Sequence, residues 1–365
     1  MAVHVLSLLL LSCCACVQLE RPPWRLQWPL LTVAQSWGTE KRSHTLSSTL
    51  CKPHCLTQAS QSSYSNLSPL LSYQTPHSND SLRRMAAGIH KLDSAPLSGS
   101  YPWYVLVPGL SRAKRQIYGL DGRFSILGRG FLMRFPFSAA VKVSSGCSGT
   151  LVGPRHVLTA AHCVHDGQGY VKGTHKLRVG LLKPWQTTTP HTQGSTAIGK
   201  FQWIRVKHIH VPKGWVTADS SEGDVAYDYA LLELKRPHKR RYMQLGVAPP
   251  SHWLPGRRLQ FSGFDDDREG QLVFRFCYAH EETADLVYQH CDAQPGASGS
   301  GVYVRLWQHS QQRWERRVIA VFSGHQWLDR NGAPQEFNVA VRITPLKYAQ
   351  ICYWIKGSYG DCREG

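Results

Sequence analysis

A serine in the C-terminal third of the chain is flanked by small residues on both sides. Ser298 lies in the stretch Gly296-Ala297-Ser298-Gly299-Ser300, and an alternating run follows it. A tight turn is one interpretation of this stretch. A nucleophilic serine is the other, because glycine permits the unusual backbone in which neighbouring amides bind an oxyanion. The amides of Gly296 and Ser298 are the expected donors.

A histidine far upstream has an equally distinctive context. His162 lies in the sequence Thr-Ala-Ala-His-Cys, where small alanines permit close packing around the imidazole. Cys147 precedes Cys163 by 16 residues, so a disulfide between them closes the loop that presents His162. A histidine with a purely structural role is the usual alternative in a chain that has 18 of them. The alanines and the upstream cysteine favour a functional one.

Asp228 is the candidate acid, because it lies just before the apolar run 230–234. An acid in that position can reach inward and hold the ring of a histidine. An aspartate that only starts a strand is the alternative, and Asp219 and Asp224 lie nearby. With all three groups present, His162 accepts the serine proton and returns it to the leaving group, while the acid fixes the imidazole tautomer.

Together, these patterns resemble the trypsin/chymotrypsin-like serine protease family, in which T-A-A-H-C, D-x-A-L-L and G-x-S-G motifs occur in this order. The resemblance extends over about 137–356. It implies a serine endopeptidase that hydrolyses peptide bonds of protein substrates through an acyl-enzyme, with His162, Asp228 and Ser298 as the catalytic residues. No metal cluster or phosphate-binding loop is visible in the sequence, so no cofactor or metal is expected.

The chain departs from the family pattern next to the serine. Position 297 is alanine, where zymogen-activated members carry the aspartate that pairs with a new N-terminal amine. The N-terminus expected after processing reads Q-I-Y-G rather than I-V-G-G. We therefore expect the loop before Ser298 to form without insertion of an N-terminus. The same departure leaves a second interpretation open, which is a catalytically weak or inactive protease-like scaffold.

The resemblance also indicates two candidate residues of a specificity pocket. Asp292 lies six residues before Ser298, where trypsin-like members place the acid that binds Lys or Arg. A surface loop that follows Cys291 is the alternative. His325 lies in the stretch 321–327, which the resemblance assigns to the pocket wall, and it would favour an acidic side chain.

The elements that must position these residues are mostly strands. Short apolar or alternating runs separated by Gly, Pro and Asp are typical of a sandwich or of barrels. One helix is indicated near the end, where Thr344 provides an N-cap and Pro345 the first helical residue. With the resemblance, this predicts an all-β, two-barrel chymotrypsin-like fold with a C-terminal helix.

The first residues predict secretion. The apolar run 6–11 and the small residues after it indicate a signal peptide over 1–16, and the run is too short for a membrane anchor. Eight cysteines follow, an even number that fits full pairing in an oxidising compartment, and none of them forms a C-x-x-C zinc pair. Proximity in sequence suggests two pairs besides Cys147–Cys163, which are Cys277–Cys291 and Cys352–Cys362. Cys51 and Cys55 then remain as a pair in the segment before the peptidase domain.

Residues 17–115 are rich in Ser, Thr, Pro and Gln and have no sustained periodicity, which predicts an irregular pro-segment. Sequons at Asn66 and Asn79 predict N-glycosylation there. The segment ends in Arg-Ala-Lys-Arg, the pattern cut by furin-type convertases. We expect cleavage after Arg115 and a peptidase domain over 116–365, although a solvated basic run is the alternative.

The chain is strongly basic, with 42 Lys and Arg, 24 Asp and Glu, and a net charge of +18. Such a charge favours polyanionic partners. The predicted compartment argues against nucleic acid and for heparan sulfate or another extracellular polyanion. The stretch 235–241 contains five Lys and Arg and is the candidate surface, with a plain solvated face as the alternative.

Overall fold

A computed structural model describes residues 30–34, 69, 71–76, 81–90, 117–183, 199–216, 225–248, 253–308, 311–330, 333–357 and 362. Across these ranges, no helix combines the length and the apolar character that crossing a bilayer requires. The predicted signal peptide over 1–16 lies outside the described residues, as do Asn66, Asn79, the Cys51–Cys55 pair and Arg115.

Strands dominate the structure. In chain order they are β1 (Leu30–Ala34), β2 (Tyr73–Pro76), β3 (Leu82–His90), β4 (Phe124–Ile126), β5 (Ala140–Val143), β6 (Ser148–Gly153), β7 (His156–Thr159), β8 (Arg178–Leu182), β9 (Phe201–Pro212), β10 (Ala230–Leu234), β11 (Gln244–Leu245), β12 (Arg258–Gly263), β13 (Leu272–Glu282), β14 (Leu286–Gln289), β15 (Gly301–Gln308), β16 (Arg313–Arg330) and β17 (Ala333–Arg342). The α-helices are α1 (Arg129–Leu132), α2 (Lys213–Val216) and α3 (Pro345–Lys356). Short 3-10 turns lie at Phe137–Ala139, Ala161–Cys163, Thr174–Lys176, Val225–Tyr227 and Asp266–Arg268.

The first barrel consists of β5, β6, β7, β10, β9 and β8, and it closes because β8 pairs with both β5 and β9. Its interior is filled by apolar side chains such as Val141, Leu151, Leu158 and Leu231. Full burial of such a side chain stabilises a fold by about 1.5–3 kcal/mol. All six residues of β6 are buried, because the second barrel covers the outer face of this strand.

The second barrel consists of β12, β13, β14, β17, β16 and β15, and it closes through the pairing of β15 with β12. β11 adds to β16 in parallel, and β4 pairs with β13. Phe261, Val302, Ile319 and Phe322 fill its interior. The two barrels confirm the all-β, chymotrypsin-like fold that the sequence predicts.

Helix α3 closes the chain as predicted. The Thr344 side chain caps its N-terminus, Pro345 is its first residue, and Gly357 ends it with a φ of 73°. Its Trp354 packs against Tyr73, with 5.2 Å between the ring centroids. The Cys352–Cys362 disulfide joins this helix to the residues after it.

Strands β1, β2 and β3 differ from the irregular segment expected over 17–115. β2 pairs with the end of β9, and β3 pairs with β2, so both extend the sheet of the first barrel. Met85 and Ala87 of β3 are buried, whereas Leu82 is exposed. The local sequence shows little of this, because the strands are stabilised by pairing with a strand that lies more than a hundred residues away.

Candidate active site

His162 lies in a 3-10 turn directly after β7. The disulfide between Cys147 and Cys163 joins this turn to the loop before β6, with 6.0 Å between the two Cα atoms. The backbone amide of His162 donates to Asp228 Oδ1 over 2.8 Å, and its ring Nδ1 lies 2.7 Å from Asp228 Oδ2. The two sulfur atoms near the ring are bonded to each other, so this cluster does not offer thiolate ligands to a metal ion.

Asp228 has a completely buried side chain just before β10. Besides the two contacts with His162, its Oδ2 accepts a hydrogen bond from the hydroxyl of Ser323. The carboxylate requires the proton of the imidazole to lie on Nδ1, which leaves the lone pair of Nε2 for another partner. Asp219 and Asp224, the nearby alternatives, lie outside the described residues.

Ser323 is a site residue that the sequence reasoning missed. It lies in β16, within the stretch 321–327 for which the sequence predicts only a pocket wall. Its hydroxyl bonds Asp228, and its carbonyl oxygen lies 3.1 Å from Ser298 Oγ. The one local signal was a serine followed by glycine in an otherwise apolar strand.

Ser298 lies three positions before the first residue of β15, and its Oγ is 2.7 Å from His162 Nε2. The first barrel supports it from the other side, because the amide of Ser148 donates to the Ser298 carbonyl over 2.8 Å. The next amide, that of Gly299, donates to the carbonyl of Phe322 over 2.8 Å. The second barrel therefore presents the serine to a histidine and an aspartate of the first.

Gly296 has the backbone that the sequence reasoning expects of an oxyanion loop. Its φ is 95°, and a Cβ at this position would lie 2.3 Å from the carbonyl oxygen of Phe264, so only glycine fits. Within the described part of the chain, neither the amide of Gly296 nor that of Ser298 donates a hydrogen bond. Both residues line a cleft of about 400 Å³ together with His162. The arrangement leaves two donors beside the serine for an anionic oxygen.

Asp292, a candidate for the specificity pocket, has a different environment from the one expected. Its carboxylate is buried, and its two oxygens accept hydrogen bonds from the amides of Tyr118 and Gly122, each over 2.6 Å. It does not line the cleft beside Ser298. This placement counts against a role for Asp292 in binding a substrate cation, because its oxygens are already occupied by the chain itself.

His325, the other candidate, is also buried and lies outside that cleft. Its Nε2 is 3.8 Å from Glu336 Oε2, and its ring meets that of Trp327 edge to face. Burial lowers the pKa of His325 below its usual value, although the charge of Glu336 acts in the opposite direction. Burial thus disfavours the charged imidazolium, which counts against attraction of an acidic side chain.

Two six-stranded antiparallel barrels with histidine, aspartate and serine brought together between them define the class of chymotrypsin-like serine proteases. The Trypsin family model matches residues 132–307. The chain belongs to the trypsin-like serine protease family.

Particular relatives extend this likeness to nearly the whole chain. Serine protease 23 of Macaca mulatta is 53% identical over 380 residues, which cover 99% of this chain and 98% of the relative. Inactive serine protease 35 of Rattus norvegicus is 46% identical over 354 residues, or 87% of this chain and 86% of the relative. Among solved structures, a Glu endopeptidase in complex with MPD is 20% identical, covers 66% of this chain and 99% of its own, and has a TM-score of 0.46.

Proposed function

We propose that the chain is a secreted serine endopeptidase that hydrolyses peptide bonds of protein substrates through an acyl-enzyme. The observation that carries this proposal is the chain of contacts from Asp228 through His162 to Ser298, with 2.7 Å at each step between side chains. Family membership supports this reaction class. The amides of Gly296 and Ser298, which donate no hydrogen bond within the described residues, meet the remaining requirement of acyl transfer.

In the proposed reaction, the Ser298 oxygen attacks the substrate carbonyl while its proton passes to His162 Nε2. The amides of Gly296 and Ser298 donate to the oxyanion of the tetrahedral intermediate, and loss of one such donor typically costs about 2.7–4 kcal/mol. The imidazolium then protonates the leaving amine, which departs and leaves the acyl-enzyme. Water next attacks the acyl carbonyl while His162 accepts its proton, and return of that proton to the Ser298 oxygen releases the carboxylic acid product. Buried Asp228 stabilises the imidazolium throughout.

The proposal is tested by labelling with a fluorophosphonate, which reacts with an activated serine. We expect labelling of the wild-type chain and none of Ser298→Ala. Failure to label a wild-type protein that has its disulfides and native circular dichroism would favour the alternative of an inactive scaffold. Some relatives carry the word inactive in their names, but here all three side chains are present and in contact.

Secretion, glycosylation and processing are parts of the same proposal. The signal peptide over 1–16, the sequons at Asn66 and Asn79 and the convertase pattern ending at Arg115 support them. The secreted protein is expected to begin at Gln116. N-terminal sequencing after enzymatic removal of a cyclised glutamine tests this, and a secreted, fully active form that begins before residue 100 would contradict the pro-segment.

A second candidate function is binding of heparan sulfate or a related sulfated glycan, and one observation favours it. Four cations of the stretch 235–241 are exposed on the first barrel: Lys235, Arg236, Lys239 and Arg241. The other two basic residues of the stretch turn inward and bond carbonyl oxygens: His238 that of Gly153 and Arg240 that of Leu182. The inward pair fixes the loop, so the exposed cations form a defined patch rather than a freely moving run.

Heparin chromatography tests this second function. Changing Lys235, Arg236 and Lys239 to glutamine is expected to lower the salt concentration at elution well below that of a control with equal charge loss. The control changes three exposed cations of the second barrel, Arg257, Arg258 and Arg305. Equal shifts for both triple variants would show that net charge alone causes retention.

A further inference from the structure

The carboxylate of Asp292 joins two distant parts of the chain. Asp292 begins the loop that leads to Ser298, and its Oδ1 and Oδ2 accept from the amides of Tyr118 and Gly122, each over 2.6 Å. Its exposed fraction is 7%, and it forms no ion pair within the described residues. A buried charge needs hydrogen bonds to remain buried, and here both oxygens obtain them from one short segment, 118–122.

A second carboxylate reinforces the same junction. Asp265 is buried, and its Oδ2 accepts from Arg123 Nη1 over 2.9 Å and from the amide of Gln294 over 3.1 Å. Its Oδ1 bonds the buried guanidinium of Arg275 in β13. The segment that ends at Arg123 and the loop before Ser298 are thus bridged twice, once through Asp292 and once through Asp265.

The rest of this loop is fixed on its other sides. The Cys277–Cys291 disulfide holds the residue directly before the loop. The amide of Asp266 donates to the Pro295 carbonyl, and the hydroxyl of Ser148 donates to the Gly296 carbonyl, each over 2.7 Å. Ala297 is completely buried and brings no charge to the loop. Asp292 is therefore the carboxylate within the loop that connects it to segment 118–122.

We propose that Asp292 is a positioning residue, whose carboxylate ties segment 118–122 to the nucleophile loop and so keeps the amides of Gly296 and Ser298 directed at the cleft. The catalytic consequence rests on the proposed function. The bond expected to be cut, after Arg115, lies three residues before Tyr118 in the sequence. The contacts of Asp292 involve no chain end, so we expect them to form both before and after that processing step.

Two substitutions test the role of Asp292. Gly122→Ala would place a Cβ 3.2 Å from Asp292 Oδ2, which presses the amide away from the carboxylate with little other change. Gly130→Ala is its control, because nothing lies within 4 Å of a Cβ there. Asp292→Asn removes the charge and one acceptor. Glu269→Gln is its control, because it removes a charge from an exposed position.

Two measurements report on the proposal, and one of them does not require activity. Hydrogen exchange is followed in peptides that cover 117–123 and 293–299. Fluorophosphonate labelling is followed as a function of inhibitor concentration, which separates the maximum rate from the half-saturating concentration. We expect Gly122→Ala and Asp292→Asn to exchange faster in both peptides and to lower the maximum labelling rate by at least about tenfold, or about 1.4 kcal/mol. In these two variants the half-saturating concentration is expected to stay near that of wild type. In both control variants the exchange and the labelling rate are expected to stay near those of wild type.

Faster exchange confined to 117–123, with unchanged exchange in 293–299 and unchanged labelling, would overturn the proposal. A second result would also overturn the proposal. If Asp292→Asn loses binding of benzamidine, a small cation that mimics an Arg side chain, while its exchange is unchanged, the carboxylate is a ligand for a substrate cation. If Asp292→Asn does not fold, Gly122→Ala decides alone. If the wild-type chain is never labelled, the proposed function fails, and the exchange of 293–299 still decides whether the loop depends on Asp292.

Discussion

Replacing Asp228 with asparagine perturbs the centre of the site while keeping the size of the side chain. The carboxylate accepts hydrogen bonds from the ring and the amide of His162 and from the hydroxyl of Ser323. If the asparagine NH2 group faces His162 Nδ1, the ring must carry its proton on Nε2 and can no longer accept the proton of Ser298. If the NH2 group faces the backbone amide of His162 instead, two buried N–H donors face each other and neither has an acceptor.

The first arrangement leaves a folded protein with the wrong tautomer. Asp→Asn at this position of a triad lowers kcat by about 10⁴-fold, which corresponds to about 5.4 kcal/mol at 1.36 kcal/mol per decade. The loss of stability is expected to be smaller, because one unsatisfied buried group costs about 1–3 kcal/mol. The assay is the rate of fluorophosphonate labelling at neutral pH, beside a urea unfolding curve. Glu269→Gln serves as the control for loss of one acid. A labelling rate within about tenfold of wild type would refute the role of Asp228 in orienting the ring.

Three further predictions concern the surroundings of the site. Removing the Cys147–Cys163 disulfide should lower the free energy of unfolding by about 2–4 kcal/mol, measured in urea, and free thiols at both positions in the secreted wild-type protein would contradict the premise. Gly296→Ala should slow labelling by at least about 10²-fold, because its Cβ would lie 2.3 Å from a carbonyl oxygen; unchanged labelling would remove this loop from the mechanism. Burial lowers the pKa of His165 to about 4 from about 6.5 in the unfolded chain, so unfolding takes up a proton between these values and stability should fall as pH drops through them, less steeply in His165→Gln. Equal pH slopes for the two proteins would show that His165 does not cause the fall.

The local part of the site was readable from the sequence. Small residues around Ser298, the alanines before His162 and the apolar run after Asp228 each reflect a requirement of close packing or unusual backbone at that position. The cap of helix α3 was likewise readable, because Thr344 and Pro345 act within one helical turn.

Contacts between residues that are far apart in the chain could not be predicted from the local sequence. Ser323 bonds an aspartate 95 positions away, and Asp292 bonds amides 174 and 170 positions away. The position of Asp292 relative to Ser298 suggests a pocket acid. Its partners, the amides of Tyr118 and Gly122, come from the segment before β4, and only the tertiary fold brings that segment to the loop before Ser298. Strands β2 and β3 were missed for the same reason, since their pairing with β9 supplies what the local pattern lacks.

The central claim is that this chain hydrolyses peptide bonds with Ser298 as the nucleophile. The most direct measurement is incubation of the chain, processed after Arg115, with a library of short peptides, followed by mass spectrometry, with Ser298→Ala prepared in the same way. We predict cleavage products from the wild-type chain and none from Ser298→Ala. Products at equal rates from both would contradict the role of the serine. Their absence from a wild-type protein with all of its disulfides formed would contradict the assignment as a peptidase.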